Sequence, residues 1–474
     1  MTPAIALAAF AFGIAGLFFL DRDPSVRTSK ALWLPVMWVW IIGSRPVSSW
    51  LGMSPGTQDS QQLLDGSPVD RAIFLVLLIA GILVLANRSR STRVFLRASW
   101  PILIYFAYCL VSVLWSDFPD IAFKRWSKAL GDLVMVLIIV TDGEPRAALK
   151  RFFTRTGFIL LPISLLLNKY FERLGRIYEP YTGEAINTGV SVDKNLLGVT
   201  ILVLSLGALW RIVALRADPH AAHRGRHLLA QSTLLAFGVT LFARANSATS
   251  TVCFLLGAAL VIATGSFRSA RPARVHLLVF GFFLAALLTA SLGGEETILH
   301  ALGRQTDLTG RVEIWDAVTP LAPNPLVGAG FESFWLGPRV ETLRQMFPVL
   351  HLNEAHDGYL EIYLNLGWVG VGLIALVLIN GYRRAAALIH YDAALGSLMV
   401  SYVVIAAVYS TTEAGFRMLD CIWFFLLLAV AASDALAWQE SEKQEIRYVS
   451  ENEPPVLAAE AAAKPVYRAL REEN

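Results

Sequence analysis

Apolar runs recur along nearly the whole chain, each of them separated from the next by a short polar link. A helix of about 20 residues crosses the hydrocarbon core of a bilayer, so the pattern predicts an all-α polytopic membrane protein. We count about 12–13 transmembrane helices in this way. The predicted spans are approximately 3–20, 31–43, 71–87, 99–116, 126–141, 151–169, 194–214, 228–243, 249–264, 275–292, 357–380, 394–410 and 419–437.

One link is far longer than the others and occupies residues 293–356. Long loops inside compact folds are uncommon and are usually functional or disordered. Trp315, Phe331 and Trp335 argue against disorder in this one. The predicted organisation is therefore transmembrane helices with short loops at 1–292, a large loop at 293–356, further transmembrane helices at 357–437 and a tail at 438–474.

Lysine and arginine are concentrated in every second short link, which predicts that those links and the tail face the cytoplasm. The large loop then lies on the outer, periplasmic side. The N-terminus has no basic stretch before its first apolar run, so we expect a first helix there and not a signal peptide. The basic residues of the inner links are Arg22, Arg27, Lys30, Arg88, Arg90, Arg93, Arg97, Arg146, Lys150, Arg151, Arg216, Arg224, Arg226, Arg268, Arg271, Arg274, Arg383 and Arg384.

Composition agrees with a membrane protein, because 55% of the 474 residues are hydrophobic and 16% are charged, against about 25% charged in soluble domains. Cys109, Cys253 and Cys421 all lie in apolar runs and show no metal or redox spacing. The chain has no convincing metal cluster and no glycine-rich phosphate loop. We therefore predict no metal and no cofactor.

Several cations fall on the predicted outer side, at or near the membrane boundary. Ionisable groups in such places are costly and tend to face a cavity and a partner. Arginine can hold phosphate through two hydrogen bonds, so these residues predict an outward-facing basic cavity for an anion such as phosphate. The alternative is that each side chain reaches independently to the aqueous interface. The outer cations are Lys124, Arg125, Lys128, Arg173, Arg176, Lys194, Arg244, Arg304 and Arg311.

Lys194 and Arg244 each lie at the outer end of a predicted span. Lys194 opens a helix that Asp193 could cap, and the N-terminus of a helix favours an anion. A purely structural cap is the alternative. Arg244 precedes a cluster of small polar residues at 245–251, for which a tight polar turn is the alternative interpretation.

His356 is the predicted general base, because it lies at the start of the helix that closes the large loop. A helix N-terminus disfavours imidazolium, so we expect a neutral ring that can accept a proton. A structural histidine at the membrane interface is the alternative. Gly367 and Gly370 follow on the same helix, where small residues at this spacing predict close helix packing.

These residues resemble the bacterial superfamily of O-antigen ligases, O-antigen polymerases and exopolysaccharide polymerases. The likeness is strongest from Thr309 to Gly370. It rests on the Thr-Gly-Arg at 309–311, Ile314-Trp315, the turn at 325–330, and the Ala-His-Asp-Gly-Tyr-Leu at 355–360, where the family usually has His-Asn. Ser44-Arg45-Pro46, Trp115-Ser116, Asp193-Lys194-Asn195 and Thr412-Glu413 look most like the exopolysaccharide polymerase branch.

The resemblance implies a metal-independent membrane glycosyltransferase of the C-type fold class. Its donor would be an oligosaccharide on undecaprenyl diphosphate or a similar polyprenyl diphosphate, and its acceptor a sugar hydroxyl. It further implies a bacterial inner membrane location, polysaccharide export or chain-length proteins as partners, and no nucleic acid. His356 would deprotonate the acceptor, and the substrate-binding residues would be Arg311, Arg244, Lys194, Arg176, Arg304 and Glu413.

One position departs from the family. It often has Arg or Lys where this chain has Ala248. Arg244 lies four residues earlier, which would place both on one face of a continuous helix, so Arg244 is the candidate replacement.

Three functions remain open on the sequence. A polymerase of lipid-linked glycans is favoured, and a ligase that transfers O-antigen to a lipid A core is the alternative within the class. A transporter or flippase of lipid-linked sugars is the alternative from another class. The absence of a visible internal repeat weakens the transporter hypothesis.

Overall fold

The computed structural model describes residues 2–23, 27–53, 67–89, 92, 96, 99–178, 183–265, 273, 275–282, 309–347 and 352–452. Every predicted span within these ranges coincides with a helix, and the span predicted at 275–292 lies mostly outside them. The helices are α1 (Pro3–Leu20), α2 (Trp33–Ile42), α3 (Val47–Trp50), α4 (Pro68–Asn87), α5 (Trp100–Val111), α6 (Pro119–Val140), α7 (Pro145–Tyr170), α8 (Glu172–Gly175), α9 (Lys194–Ala217), α10 (Arg224–Ala245), α11 (Ala248–Gly265), α12 (Thr309–Val318), α13 (Pro338–Met346), α14 (Gly358–Leu388), α15 (Ala393–Tyr409) and α16 (Cys421–Asn452).

Short elements join these helices. Three 3₁₀ helices cover Lys30–Leu32, Ser112–Trp115 and Thr319–Leu321. Strands β1 (Arg176–Tyr178) and β2 (Ala185–Asn187) form an antiparallel hairpin in which Arg176 is opposite Asn187. Helix α16 continues to Asn452, past residue 438 at which the tail was predicted to begin, and the domain boundaries stay predictions.

Among the described residues, six helices are long and apolar enough to cross a membrane by length and composition, namely α1, α4, α9, α10, α11 and α14. Shorter apolar helices overlap the predicted spans at α2, α5, α15 and α16. Two longer ones, α6 and α7, carry more charge. The protein is therefore an all-α polytopic membrane protein, as predicted, while the number of crossings stays a prediction.

Helix α9 occupies the centre of the bundle and packs against α7, α10, α11 and α15. In its most apolar window 94% of the residues are buried, against 11% in α1. An apolar surface on every side of a helix suits such a central position. Because α9 is packed on all sides, its N-terminal end at Lys194 is held in place by the bundle.

The large loop folds around a core of its own, so the prediction that it is not disordered is confirmed for residues 309–347. One buried apolar cluster joins Ile314 and Val318 of α12, Leu343 of α13, and Phe334 and Trp335 from the segment between these helices. The described part of the loop is therefore a small folded unit resting on the membrane helices.

This unit is joined to α14 through a break in the helix at Gly367, whose φ of +62° is outside the helical region. The backbone of the turn at 325–330 enters the break. Trp368 N donates to the Pro325 carbonyl at 2.9 Å, and Gly330 N donates to the Asn365 carbonyl at 2.8 Å. A Cβ at Gly367 would lie 2.2 Å from the Leu326 carbonyl carbon.

The sequence suggested that Gly367 allows two helices to pack closely. In the structure, Gly367 instead makes room for the backbone of the loop. At Gly370 an added Cβ would meet the side chains of Leu366 and Ile362 on the same helix. The prediction of helix–helix packing at these glycines is wrong at Gly367. At Gly367 it is the backbone of a loop that approaches closely. The positive φ is adopted without an energetic cost only by glycine.

We expect Gly367→Ala to destabilise the protein by about 2 kcal/mol or more, because alanine meets both the unfavourable φ and the Leu326 backbone. Gly372→Ala is the matched control, since nothing lies within 4 Å of a Cβ there. Thermal unfolding of both variants in detergent tests this prediction. Equal midpoints in the two variants would contradict the docked turn.

The expectation that Arg244 and Ala248 share one helical face is wrong. Helix α10 ends at Ala245, Asn246 adopts a left-handed φ of +48°, and α11 begins at Ala248. The two positions therefore lie on different helices. The small polar cluster forms this turn, as the alternative interpretation proposed.

Candidate active site

His356 lies in the short segment between the loop unit and α14, and contacts on both sides fix its position. Asp357 caps α14 by accepting hydrogen bonds from Tyr359 N and Leu360 N, each at 2.8 Å. Gly358 N donates to the Ser410 carbonyl at 2.7 Å. His356 itself has a φ of +51°. Such conformations persist where surrounding contacts hold them, and they cluster at functional sites.

One nitrogen of the His356 ring faces two carboxylates. Its Nδ1 atom lies 3.0 Å from Glu354 Oε1 and 3.2 Å from Glu413 Oε2. Its Nε2 atom has no hydrogen-bond partner among the described residues. The carboxylates therefore place a proton on Nδ1 and leave Nε2 for a substrate.

Burial lowers the pKa of His356, but the hydrogen bonds and charges of Glu354 and Glu413 outweigh burial and raise that pKa to about 10. The ring of the ligand-free protein is therefore protonated at neutral pH. The sequence-based expectation of a neutral ring is wrong, because two carboxylates at hydrogen-bond distance outweigh the helix N-terminus. Burial raises the pKa of Glu354, yet His356 and Arg417 more than compensate, and the pKa is lowered.

Glu413 links His356 to Arg311. Its Oε1 atom lies 3.2 Å from Arg311 Nη2, and a second nitrogen of the same guanidinium donates to the Thr412 carbonyl. Asn195, at the start of α9, donates to Glu413 Oε1 at 3.4 Å. The fold thus brings Arg311, His356 and Glu413 together from α12, from the segment before α14 and from the loop between α15 and α16.

Arg417 and Glu332 extend this network and were missed in the sequence. Arg417 Nη1 lies 3.3 Å from Glu354 Oε2, and its Nε atom lies 3.3 Å from Glu332 Oε2. Positive and negative groups alternate along the resulting chain of contacts. Arg417 could have been found in the sequence, because it is a charged residue inside the otherwise apolar stretch 414–419. Charged residues in apolar segments near a membrane are functional candidates. The chain, named here the ionic chain, is Arg311, Glu413, His356, Glu354, Arg417 and Glu332.

Lys194 and Arg244 lie around the same region with partly exposed side chains. Neither side chain makes a hydrogen bond or ion pair with another described residue. Thr249, at the start of α11, contacts Thr412 Oγ1 at 3.3 Å, so the turn after Arg244 adjoins the Glu413 loop. The convergence of Lys194, Arg244, Arg311 and His356 on one cavity stays a prediction.

The remaining predicted cations differ in their surroundings. Arg176 donates to the Asn168 carbonyl through two nitrogens, at 2.9 and 3.1 Å, and pairs with Glu172 at 2.9 Å. These contacts hold the hairpin against the end of α7. Arg304 lies outside the described residues. A substrate-binding role for either residue stays a prediction.

Glu354, His356 and Glu413 are also of the types that bind metal ions, and one ligand atom of each lies within 4.8 Å of the others. However, the second oxygen of each carboxylate contacts a guanidinium, that of Arg417 or of Arg311. Those positive charges oppose a cation and already neutralise the carboxylates. The described geometry therefore favours an ionic chain over a metal site.

Part of the sequence of this membrane protein, including His356, is similar to a known protein family. Residues 232–375 match the family model described as O-antigen ligase. The matched part contains Arg244, Arg311 and His356, whereas Lys194, Glu413 and Arg417 lie outside it.

A relative with a curated description is the exopolysaccharide production protein ExoQ of Rhizobium meliloti (strain 1021), which is 25% identical over 297 residues. The match covers 58% of this chain and 62% of ExoQ, so the chain spans less than two thirds of that relative. Together the two matches confirm the similarity to the O-antigen ligase and polymerase superfamily, and to its exopolysaccharide branch.

Proposed function

We propose that the protein is a glycosyltransferase that polymerises oligosaccharide units carried on a polyprenyl diphosphate, such as undecaprenyl diphosphate. The reaction would take place at the periplasmic face of the bacterial inner membrane during surface polysaccharide biosynthesis. The observation that carries this proposal is the convergence of His356, Glu413 and Arg311 from separate parts of the chain. The family match and the ExoQ match support it.

In the proposed reaction an acceptor sugar hydroxyl attacks the anomeric carbon of the donor. The oxygen–carbon bond forms as the bond from that carbon to the diphosphate oxygen breaks, and the diphosphate leaves with the electron pair. The hydroxyl proton passes to His356 Nε2 in the neutral form of the ring. Fixed cations aimed at developing negative charge can stabilise such a leaving group by several kcal/mol.

Lys194, Arg244 and Arg311 are the cations that we assign to the diphosphate. Lys194 and Arg244 suit this role because no described residue neutralises them. Arg311 is held by Glu413 and the Thr412 carbonyl, so its guanidinium is fixed before substrate binds. Fixed charges need no reorganisation when negative charge develops on the leaving group.

A ligase that transfers O-antigen to a lipid A core is the second candidate, and the description of the matching family favours it. Both enzymes would use the same donor chemistry and differ in the acceptor. Deletion of the gene, followed by mass spectrometry of lipid-linked glycans and surface polysaccharide, separates them. We expect single lipid-linked units to accumulate and polymer to disappear.

Polymer that is still made but is not joined to lipid A core would identify a ligase. Lipid-linked units held at the cytoplasmic face would identify the transporter or flippase considered in the sequence analysis. Unchanged polysaccharide and unchanged lipid-linked pools would contradict the proposal.

Arg311→Lys should lower polymer formation about tenfold, and Arg311→Ala about 10²-fold, the range seen when one fixed charge-stabilising donor is removed. Lysine keeps the charge but cannot contact both Glu413 and the Thr412 carbonyl with a planar fork. The measurement is polymer yield per amount of membrane-inserted protein. Arg344→Ala is the control, since Arg344 lies 43% exposed on α13. Near-native activity in both Arg311 variants would remove this residue from the site.

A further inference from the structure

The loop between α15 and α16 carries a largely buried arginine, Arg417, that makes no hydrogen bond or ion pair with His356. The side chain of Arg417 is 11% exposed, and its guanidinium lies between Glu354 and Glu332. A third contact runs from Nη2 to the Asn353 carbonyl at 3.4 Å. One guanidinium therefore binds both the side chain of Glu354 and the backbone carbonyl of the preceding residue.

Glu332, the second carboxylate that pairs with Arg417, is itself held in place. Glu332 is 10% exposed at its side chain, and its carbonyl accepts a hydrogen bond from the buried Arg125 of α6. The ionic chain is therefore connected to α6 through the Glu332 backbone. Because Arg417 is tied to this support, it can hold Glu354 in one place.

Backbone conformation points to the same region. Glu332, His356 and Leu419 have φ angles of +50°, +51° and +58°, although none of them is glycine. These three residues lie at the end of the ionic chain, at its histidine, and two residues after Arg417. Left-handed residues of this kind persist where the surroundings over-determine them, and they cluster at sites where geometry is functional.

We propose that Arg417 is a positioning residue for His356, which acts by holding Glu354 against the Nδ1 atom of the ring. The contact order is Arg417 to Glu354 at 3.3 Å and Glu354 to His356 at 3.0 Å. Glu413 supports the ring from its other side at 3.2 Å. With Nδ1 held at two points, the direction of Nε2 is fixed toward the acceptor hydroxyl. This inference rests on the proposed function only for the identity of that hydroxyl.

A chemical test of the ring needs no enzymatic activity. Diethyl pyrocarbonate acylates neutral imidazole, and mass spectrometry of the peptide that contains His356 gives the rate in intact membranes. Once Glu354 is no longer held by Arg417, the ring and Glu354 can move together away from their fixed place and become more accessible to the reagent, so Arg417→Met should raise the rate about threefold or more. Arg417→Lys should stay near wild type, since lysine keeps the charge. An unchanged or lower rate in Arg417→Met would overturn the inference.

The matched control is Arg211→Met, which breaks a buried pair of Arg211 with Asp21 at 3.3 Å, in side chains 8% and 7% exposed. It reproduces the loss of a buried ion pair away from the ionic chain. We expect wild-type acylation of His356 in this control. If Arg211→Met raises the rate as much as Arg417→Met does, general loosening of the protein explains both and the inference falls.

Kinetics supply the second test. Arg417→Met should lower kcat for polymer formation about 10²-fold, because small misplacements of a catalytic group have effects of this size. KM for the lipid-linked donor should change less than about threefold, since the cations assigned to the diphosphate are untouched. Arg417→Lys should recover most of kcat. The positioning role would be overturned if activity falls only in proportion to the amount of folded protein and Arg417→Lys does not restore it.

The two tests also separate this inference from the proposed function. If wild-type protein forms no polymer, the proposed function fails, whereas the acylation rates still decide whether Arg417 holds the ring. If Arg417→Met does not accumulate in membranes, Glu332→Gln replaces it as the test variant. This substitution weakens the ion pair that holds Arg417 in place. We then expect a smaller rise in acylation, and no rise would overturn the inference.

Discussion

His356→Gln should abolish polymer synthesis while the protein remains folded in the membrane. Glutamine keeps polar contacts toward Glu354 and Glu413 but cannot take up the acceptor proton at a basic nitrogen. General base catalysis contributes about 10²–10⁴-fold to rate, so we expect a loss within or beyond this range. The measurement is polymer formed per amount of membrane-inserted protein, with lipid-linked units as substrate.

His276→Gln is the matched control, because His276 also makes a hydrogen bond, to the Tyr382 hydroxyl at 2.7 Å, but has no contact with the ionic chain. We expect wild-type activity from it. Wild-type polymer yield from His356→Gln would show that this histidine is structural. The base would then have to be sought elsewhere.

Glu413→Gln should lower both activity and stability, because one carboxylate holds both Arg311 and His356. The Glu413 side chain is only 8% exposed, so removing its charge takes a nearly buried partner away from two cations. Breaking one side of a buried pair is strongly destabilising. We therefore expect lower thermal stability together with an activity loss of about 10²-fold.

The pH dependence of activity should change in a defined direction in this variant. With the pKa of His356 near 10, the neutral ring is scarce at pH 7, so wild-type rate should rise about tenfold per pH unit between pH 7 and 9. Loss of one carboxylate favours the neutral ring and lowers that pKa. The rising limb should therefore move to lower pH in Glu413→Gln.

Glu341→Gln provides the control, since the Glu341 side chain is 70% exposed on α13 and lies 3.9 Å from Arg344, away from the ionic chain. It should leave both rate and pH profile unchanged. A wild-type rate that is flat from pH 7 to 9 and falls above pH 10 would contradict the base. It would indicate instead that imidazolium is the working form.

The sequence predicted the membrane helices well because a bilayer imposes one length on every span. The apolar run at 3–20 coincides with α1, and the run at 249–264 differs from α11 by one residue at each end. The break at Gly367 could not be predicted in this way. It depends on the turn at 325–330, which is distant in sequence and enters the helix only in the folded protein.

Three residues of the candidate site could be predicted from motifs, whereas its electrostatics could not. Motif residues identified His356, Arg311 and Glu413, and the fold brings these three together. The protonation of His356 was predicted wrongly, because the contacts of Nδ1 with Glu354, two residues before it, and with Glu413, 57 residues after it, arise only from tertiary structure. Arg417 and Glu332 belong to no motif and became visible only through their contacts.

Purified protein in liposomes, supplied with lipid-linked oligosaccharide alone, gives the sharpest test of the proposed activity. We expect wild-type protein to form glycan polymer and to release one polyprenyl diphosphate for each new glycosidic bond, and His356→Gln to do neither. Mass spectrometry of both products in the same sample provides the measurement. Movement of intact lipid-linked units across the bilayer with no bond formed and no diphosphate released would contradict a glycosyltransferase.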